Sequence, residues 1–292
     1  MLSPDGEHIR TVGRDGEGPG EFRGANGLGW GPNGRLWVVD QRLKRYSVFD
    51  TSGTLLDSHQ APMSIRSWEW SGGFTRNGIL YDRGHTLNGD DIVNVLLKFD
   101  MAGEYSDTFP LPLYQAEYFQ WRTEYGPNMK QVPYSPLWVW MLAPDGDIRA
   151  GSSDDYRIHH LSLQADTLRI IKREYDPIPV TDAEREAAIE DVREFMRGRQ
   201  FDADRVPMAK PAFERFTVDD SGFLWVKLPD SPVRQGSLVD VFDPEGRFLG
   251  TMVTSAQMSR YLRFIVRGDV LCYVTVDELD VPYVVTERIT GR

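Results

Sequence analysis

The sequence predicts an all-β fold, a β-propeller of five to six four-stranded blades with one short helical insertion. The first observation is a repeated pattern: a glycine turn, a run of β-forming residues, a gap, and a second run that often ends in Phe-Asp. The second is its period, because self-similarity at this length indicates one supersecondary unit stacked many times. Five copies occupy residues 31–56, 76–109, 143–171, 219–253 and 267–289.

Each copy is expected to form a meander of about four strands. The runs are rich in Val, Ile, Leu, Trp, Tyr and Phe, and Asn-Gly, Asp-Gly or Ser-Gly turns separate them. These turns supply the positive φ that tight hairpins require, and they interrupt the runs too soon for helices. Since a lone four-stranded sheet leaves an apolar face in water, we expect the copies to pack around an axis.

The spacing of the turn glycines locates two insertions. Gly34, Gly78, Gly146, Gly222 and Gly268 are separated by 44, 68, 76 and 46 residues, so the second and third intervals are too long for a bare blade. The extra segments are residues 111–136, which are rich in aromatic side chains, and residues 173–211. Both lie on connections into inner strands, so we expect them to project from the same end of the propeller.

The second insertion contains a predicted helix that begins at Thr181 and ends at Arg199. Thr181 has the side chain of an N-cap, and Glu184 three residues later completes a capping box. Val192 and Met196 then fall on one face at helical spacing. The helix is the only departure from β-structure that the sequence predicts.

The chain ends raise the question of closure. Residues 261–289 supply only three strands, so we expect the segment from Glu7 to Val12 to be the fourth strand of the last blade. This pairing would join the two ends of the chain and make residues 1–292 a single domain. The alternative is a truncated chain from which a sixth blade is absent.

One segment resembles a known family. Residues 13–22 read Gly-Arg-Asp-Gly-Glu-Gly-Pro-Gly-Glu-Phe, and a Gly-Arg-Leu-Trp-Val-Val-Asp strand follows. Together they resemble the NHL-type six-bladed β-propeller superfamily of bacteria, and the resemblance covers most of the chain. Because these propellers include lyases, lactone hydrolases and binding platforms, the resemblance implies the fold without implying one function.

The same resemblance bears on location. Bacterial members are often exported or lipid-anchored, which implies a periplasmic or secreted protein whose signal would lie upstream of this chain. The sequence begins at Met1 without the apolar region of a signal peptide. A cytoplasmic location is therefore the alternative.

The composition excludes several classes of partner. The net charge is −11, which argues against nucleic acid because phosphate binding depends on clusters of Lys and Arg. No apolar run approaches the length of a transmembrane segment. Cys272 is the only cysteine, so an intramolecular disulfide is impossible. We expect a monomer.

Functional groups in propellers lie where the inner strands begin. The repeat places Asn26, Glu69, Glu214, Arg215 and Arg263 at these starts. We take Asn26, Arg215 and Arg263 as candidate binding residues. Glu69 and Glu214 are candidate ligands for Ca²⁺, which favours oxygen ligands. The structural alternative is that these polar groups pair with each other.

Three tryptophans, Trp68, Trp70 and Trp121, are further candidate binding residues. Aromatic rings beside polar groups are common in binding surfaces. Trp68 and Trp70 are two residues apart and share one face of a strand, so packing between blades is their alternative role. Trp121 lies in the first insertion and is the best candidate for a surface role.

Two functions remain open at this stage, beside a third alternative in which the chain is a fragment or a paralogue with no surviving activity. The favoured hypothesis is a binding or interaction platform for a protein, a small molecule or a carbohydrate. The alternative is a metal-dependent hydrolase or lyase with its site at the channel mouth, where a metal would polarise a carbonyl as in the gluconolactonase-like propellers. A zinc site is disfavoured, because His159 and His160 are adjacent on a predicted strand and point to opposite faces.

Overall fold

A computed structural model gives the structure of the protein. It describes residues 1, 3, 6–60, 72–88, 91–100, 104–111, 116–124, 126–231, 234–259 and 262–290. The chain divides into two compact units: unit 1 comprises Met1–Leu111 and Pro144–Gly146, and unit 2 comprises Pro112–Ala143 and Asp147–Arg292. Among the described residues, no helix is both long and apolar enough to cross a membrane.

Unit 1 contains two blade-type sheets. Each is a four-stranded antiparallel meander in which strands adjacent in sequence are adjacent in the sheet. A short parallel pair, β1 (Arg14–Asp15) and β2 (Glu21–Phe22), precedes them. The first sheet is β3 (Ala25–Trp30), β4 (Leu36–Asp40), β5 (Arg45–Phe49) and β6 (Leu55–Gln60); the second is β7 (Gly73–Phe74), β8 (Leu80–Asn88), β9 (Asp91–Phe99) and β10 (Tyr105–Pro110).

Unit 2 contains three blade-type sheets, a hairpin and a helix. The hairpin is formed by β11 (Tyr118–Thr123) and β12 (Gly126–Gln131), and the next sheet by β13 (Trp138–Leu142), β14 (Ile148–Ser152), β15 (Arg157–Leu161) and β16 (Thr167–Lys172). The helix α1 (Asp182–Met196) follows. The last two sheets are β17 (Arg215–Val218), β18 (Leu224–Lys227), β19 (Leu238–Phe242) and β20 (Phe248–Val253), and then β21 (Ile265–Arg267), β22 (Val270–Val276) and β23 (Pro282–Arg288).

These elements confirm the predicted fold class. The fold is all-β, with five blade-type sheets of the β-propeller class and one short helix. Four of the five sheets have four strands and the last has three within the described residues, where no sixth blade is found. His159 and His160 both lie on β15, as the strand prediction required.

The predicted fourth strand of the last blade is wrong. The sheet β21–β23 does not include the segment from Glu7 to Val12. That segment instead lies within unit 1, where the Arg10 guanidinium donates to the carbonyl of Ser52 and Val12 packs beside Phe49. The side chain of Val12 also lies close to Gly53, so the segment covers the turn between β5 and β6.

Apolar cores fill the spaces between neighbouring sheets of each unit. In unit 1, Trp37 and Val39 of β4 pack with Leu80 of β8 and Phe99 of β9. In unit 2, a corresponding core joins the sheets β13–β16 and β17–β20, and another joins β17–β20 to β21–β23. The alternation of side chains along each strand supplies these faces.

Candidate binding site

The two insertions predicted from the sequence form one structure in unit 2. The hairpin β11–β12 comes from the first insertion and α1 from the second, and they enclose a shared apolar core. Its buried side chains are Phe119, Val132, Val192, Met196 and Val206. We call the hairpin, α1 and the following segment up to Val206 the insertion module.

Local sequence determines both ends of α1. The Thr181 side chain accepts a hydrogen bond from the Glu184 backbone N–H at 3.3 Å, and the Glu184 carboxylate accepts from the Thr181 N–H at 2.9 Å, so the predicted capping box is confirmed. At the other end, Arg197 takes a left-handed conformation with φ of 50° and its N–H bonds to the carbonyl of Glu194. The chain therefore turns sharply after Met196 and brings Arg197 and Arg199 back beside the hairpin.

A tryptophan and two arginines meet at the surface of this module. The Arg199 guanidinium carbon lies 4.0 Å from the centre of the Trp121 ring, and that of Arg197 lies 6.0 Å away. Phe195 packs against the same indole with ring centres 6.4 Å apart. Both arginines are exposed, while Trp121 is partly buried. We call Trp121, Arg197 and Arg199 the Arg–Trp surface; a guanidinium stacked on an indole is held by cation–π attraction.

The charges of the Arg–Trp surface are not neutralised locally. Among the described residues, neither Arg197 nor Arg199 has a carboxylate within ion-pair distance. Other cations of the module do: Lys130 pairs with Asp191, and Arg205 pairs with Glu117 at 3.4 Å. In a chain with a net charge of −11, two adjacent cations without counter-charges make a local positive site that attracts anions.

The start of α1 is anchored to the blades by a buried lysine. The Lys210 ammonium donates to the Glu184 carboxylate at 2.6 Å and to the backbone carbonyl of Asp230, in the connection between β18 and β19, at 2.7 Å. Burial alone would raise the pKa of Glu184, but the hydrogen bonds from Lys210 and Thr181 outweigh it and lower that pKa. Glu184 is therefore ionised at neutral pH and holds the helix against the sheet.

Glu214, the predicted calcium ligand, lies in an ion pair. Its carboxylate accepts a hydrogen bond from the ammonium of Lys227, whose side chain is completely buried. The same ammonium donates to Asp230 at 2.9 Å, and the other oxygen of Asp230 accepts from the Ser237 hydroxyl at 2.6 Å. A cation at Glu214 would have to compete with Lys227, so this carboxylate holds a buried lysine in place.

The other predicted site residues belong to different units or lie outside the described residues. Arg215 opens β17 next to Glu214, and Arg263 is exposed just before β21, both in unit 2. Asn26 belongs to unit 1, where its amide nitrogen lies 3.4 Å from the Gln41 side-chain oxygen. Trp68, Trp70 and Glu69 lie outside the described residues. Among the predicted site residues that the structure describes, Trp121 lies beside Arg197 and Arg199 at a surface.

Sequence reasoning missed Arg197, Arg199 and the Lys227 ion pairs. A signal for Lys227 was present, since a lysine inside the apolar run Phe-Leu-Trp-Val-Lys-Leu predicts a buried charge that needs a partner. No local signal marks Arg197 and Arg199, because their importance depends on a tryptophan in a different insertion. Only the packing of the hairpin against α1 brings the three together.

Comparison with known proteins shows the fold and no family. No protein-family model matches the chain, and no curated protein matches it. A member of the DUF4221 family from Bacteroides vulgatus has a TM-score of 0.52 at 11% identity, over 92% of this chain and 78% of that one. A Bacteroides fragilis protein that is presumed to be exported has a TM-score of 0.50 at 10% identity, over 94% and 72%. Virginiamycin B lyase from Staphylococcus aureus has a TM-score of 0.40 at 10% identity, over 92% and 85%. The chain thus shares its fold with the two Bacteroides proteins.

Proposed function

We propose that this chain is a binding protein and that its Arg–Trp surface holds an acidic segment of a protein partner. The observation that carries the proposal is the stacking of Arg199 on Trp121 at 4.0 Å beside Arg197, without carboxylate partners for either arginine among the described residues. Stacking fixes the plane of a guanidinium. One nitrogen of Arg199 donates to the Met196 carbonyl at 3.3 Å, and the other N–H groups of the two arginines remain to bind a ligand. Planar, pre-oriented guanidinium groups suit paired hydrogen bonds to carboxylates.

The chemistry of the surface fits protein recognition. Tryptophan and arginine are enriched among the residues that dominate binding energy at protein interfaces. The indole gives an apolar surface beside the charges, and the packed core of the module holds both in place. The acidic remainder of the chain would repel a highly acidic partner elsewhere, so electrostatics favour this site over the rest of the surface.

The experiment is a fluorescence anisotropy titration with a labelled peptide. The probe is a short peptide of alternating Glu and Trp, and the comparison is the same peptide with Gln in place of Glu. We expect the Glu peptide to bind about tenfold more tightly. The double variant Arg197→Gln/Arg199→Gln should remove this preference, and Trp121→Ala should weaken the binding of both peptides.

Arg122→Gln is the matched control. Arg122 is an exposed arginine of the same hairpin, and it lies on the face of β11 opposite to Trp121 because side chains alternate along a strand. This variant removes the same charge as either arginine substitution. If Arg122→Gln weakens binding as much as Arg199→Gln alone does, general electrostatic attraction accounts for the effect and the proposed site is wrong.

We also propose that the protein is exported. The resemblance of residues 13–22 to bacterial propellers supports this, as does the fold shared with a Bacteroides fragilis protein that is presumed to be exported. Fractionation of cells that express the natural gene, with detection by antibody, tests it. Recovery in the cytoplasmic fraction would contradict the proposal.

A further inference from the structure

The last sheet of unit 2 ends in a strand with an open edge. β23 pairs with β22 on one side, and no described strand pairs with its other side. An open edge presents backbone N–H and C=O groups to which a further strand can bind. The outer strands of the other four blade-type sheets, β6, β10, β16 and β20, also lie at edges. The five edges differ in how well they are protected against such pairing.

Four of the five edges are protected by a β-bulge. In each of β6, β10, β16 and β20, one extra residue interrupts the pairing with the neighbouring strand; these residues are Leu56, Ser106, Leu168 and Leu249. A bulge bends an edge strand and hinders regular pairing with another chain. β23 has no bulge, because its seven residues pair one to one with those of β22. Among these five outer strands, β23 therefore has the edge best suited to strand pairing.

Backbone hydrogen bonds determine which groups face the open edge. The Asp277 N–H donates to the Val281 carbonyl at 3.1 Å, and at the other end of the hairpin the Ile289 N–H donates to the Asp269 carbonyl at 2.7 Å. Hydrogen-bonded positions alternate along an antiparallel pair, so the odd-numbered residues of this strand turn their backbone groups toward β22. The even-numbered residues of β23 therefore direct their backbone groups to the open edge.

The side chains of this strand also favour a partner. Val281, Tyr283 and Val284 are 52%, 46% and 60% exposed. β-branched and aromatic residues stabilise antiparallel strands when they lie opposite each other. An exposed apolar edge strand is a site where a second strand is expected to pair.

The charges of the β22–β23 hairpin differ at its two ends. The turn carries Asp277, Glu278 and Asp280, whereas Arg288 lies at the opposite end of β23. Arg288 pairs with Asp269 at 3.6 Å, but both side chains are more than half exposed, so this pair contributes little. A strand that runs antiparallel to β23 and has the same charges would place its acidic end beside Arg288. A second copy of β23 meets this description.

We propose that two copies of this chain pair along β23 and form a two-fold symmetric dimer. The strands run antiparallel, with Val284 of one copy opposite Val284 of the second copy, so that the outward-facing backbone groups of the two strands meet. This register brings Arg288 near Asp280 of the second copy. Both copies use the same surface, as a two-fold axis requires.

The dimer takes the place of the monomer expected from the sequence. Three strands from each copy join into one antiparallel sheet, and the open edge is removed. The contact uses none of the residues of the Arg–Trp surface. Dimer formation and binding of the acidic peptide can therefore succeed or fail separately.

Sedimentation of the full chain over about 5–200 μM measures the dimer. We expect a mass that rises with concentration toward twice the monomer mass. Val284→Lys places two ammonium groups opposite each other across the two-fold axis and should weaken the dimer about tenfold. Because Val284 is exposed, this variant should keep its fold, which circular dichroism checks. A monomer mass at every concentration of the unmodified chain would overturn the proposal.

Charge reversal at Arg288 tests the electrostatic part of the contact. Arg288→Glu puts a negative charge near Asp280 of the second copy and should weaken the dimer about tenfold. Arg247→Glu is the matched control: it changes the net charge equally, at an exposed arginine before β20 that pairs with Asp243 and Glu245. If both variants weaken the dimer equally, repulsion between two acidic chains explains the loss and the proposed pairing is wrong.

Cross-linking tests the register of the two strands. In a Cys272→Ala background, Val284→Cys should give a disulfide-linked dimer on oxidation with diamide, because opposite residues of an antiparallel pair have Cα atoms about 5.5 Å apart. Thr286→Cys is the control, since its two copies would lie about 14 Å apart along the strands, beyond the reach of a disulfide. Equal cross-linking of the two variants, or none in Val284→Cys, would contradict the proposed pairing.

Discussion

Buried aspartates in three of the sheets are held by different donors. Asp40 accepts backbone N–H groups, including those of Arg23 and Leu43. Asp82 accepts from the Tyr46 hydroxyl, and Asp240 accepts from the Tyr156 hydroxyl at 2.7 Å. A buried carboxylate is tolerated only when such bonds replace its hydration. These acidic residues therefore stabilise the sheets, although their residue type alone would also fit metal ligands.

The hydrogen bonds to Asp40 make stability depend on pH. Burial alone would raise the pKa of Asp40, but the N–H groups of Leu43, Arg23, Gly24 and Arg42 outweigh burial and lower it. A lowered pKa means that the stabilisation is present above the unfolded pKa, near 4, and is lost as the pH falls through the folded value. Asp40→Asn should cost about 1–3 kcal/mol at neutral pH. The difference from wild type, measured by urea unfolding, should shrink as the pH falls below the unfolded pKa near 4, and a constant difference would contradict this account.

The Tyr46–Asp82 pair joins the two sheets of unit 1. Burial, followed by the Asp82 charge, raises the pKa of the Tyr46 hydroxyl, so the phenol remains a donor at every pH below its unfolded pKa near 10. Tyr46→Phe leaves Asp82 without this donor and should cost about 1–3 kcal/mol in urea unfolding. Tyr283→Phe, at an exposed position, is the control and should be nearly neutral.

A double-mutant cycle then isolates the pair. If Tyr46→Phe costs the same in an Asp82→Asn background as in wild type, the two side chains are not coupled.

A substitution of Glu214 distinguishes its role in the ion pair with Lys227 from its predicted role as a calcium ligand. Glu214→Gln leaves Lys227 with Asp230 as its carboxylate partner among the described residues, so we expect a loss of about 1–3 kcal/mol. The loss should be the same with EDTA and with added Ca²⁺ in thermal unfolding. A stabilisation by Ca²⁺ that disappears in Glu214→Gln would support the metal-dependent hypothesis.

At the scale of elements, local patterns predicted what depends on local interactions. The helix was predictable because its cap and its apolar face are both contained in one short stretch around Thr181 and Val192. The hairpin β11–β12 was not, because its aromatic residues alone do not specify a pairing. The strand predicted for Glu7–Val12 was wrong because an open edge of the last sheet does not by itself determine which segment pairs with it. The segment is held by Ser52 and Phe49 instead.

The cap of α1 gives a prediction at this scale. Thr181→Ala removes the hydroxyl that accepts from the Glu184 N–H, and N-cap substitutions of this kind cost about 1 kcal/mol. Because Glu184 also binds Lys210, the helix should remain docked, and the far-ultraviolet circular dichroism should not change. Thermal unfolding measures the loss, and an unchanged midpoint would show that the capping box contributes nothing.

At the scale of the whole molecule, composition and period predicted the fold class, and the site required the folded structure. The five repeats and the acidic charge are properties of the entire chain, so a wrong assignment of one segment does not change them. The Arg–Trp surface depends on contacts between distant insertions, which no periodicity reveals.

Net charge predicts two salt effects of opposite sign. Raising NaCl from about 0.02 M to about 0.2 M should raise the thermal midpoint, because salt screens the mutual repulsion of a chain with a net charge of −11. The same change should weaken the Glu peptide at the Arg–Trp surface, since that attraction is also electrostatic. Calorimetry measures the thermal midpoint and fluorescence anisotropy measures the affinity for the Glu peptide. If salt raises both the midpoint and the affinity, the proposed site is wrong.

The insertion module also has a consequence for the order of folding. Its hairpin and its helix flank the sheet β13–β16 along the chain, so that sheet lies between the two halves in sequence. Closing the loop costs less entropy once the sheet has formed and brought residues near 136 and 173 to the same end of that sheet. The module should therefore assemble late, and the Trp121 indole, shielded by Arg199 only after docking, would report that final step in a stopped-flow trace.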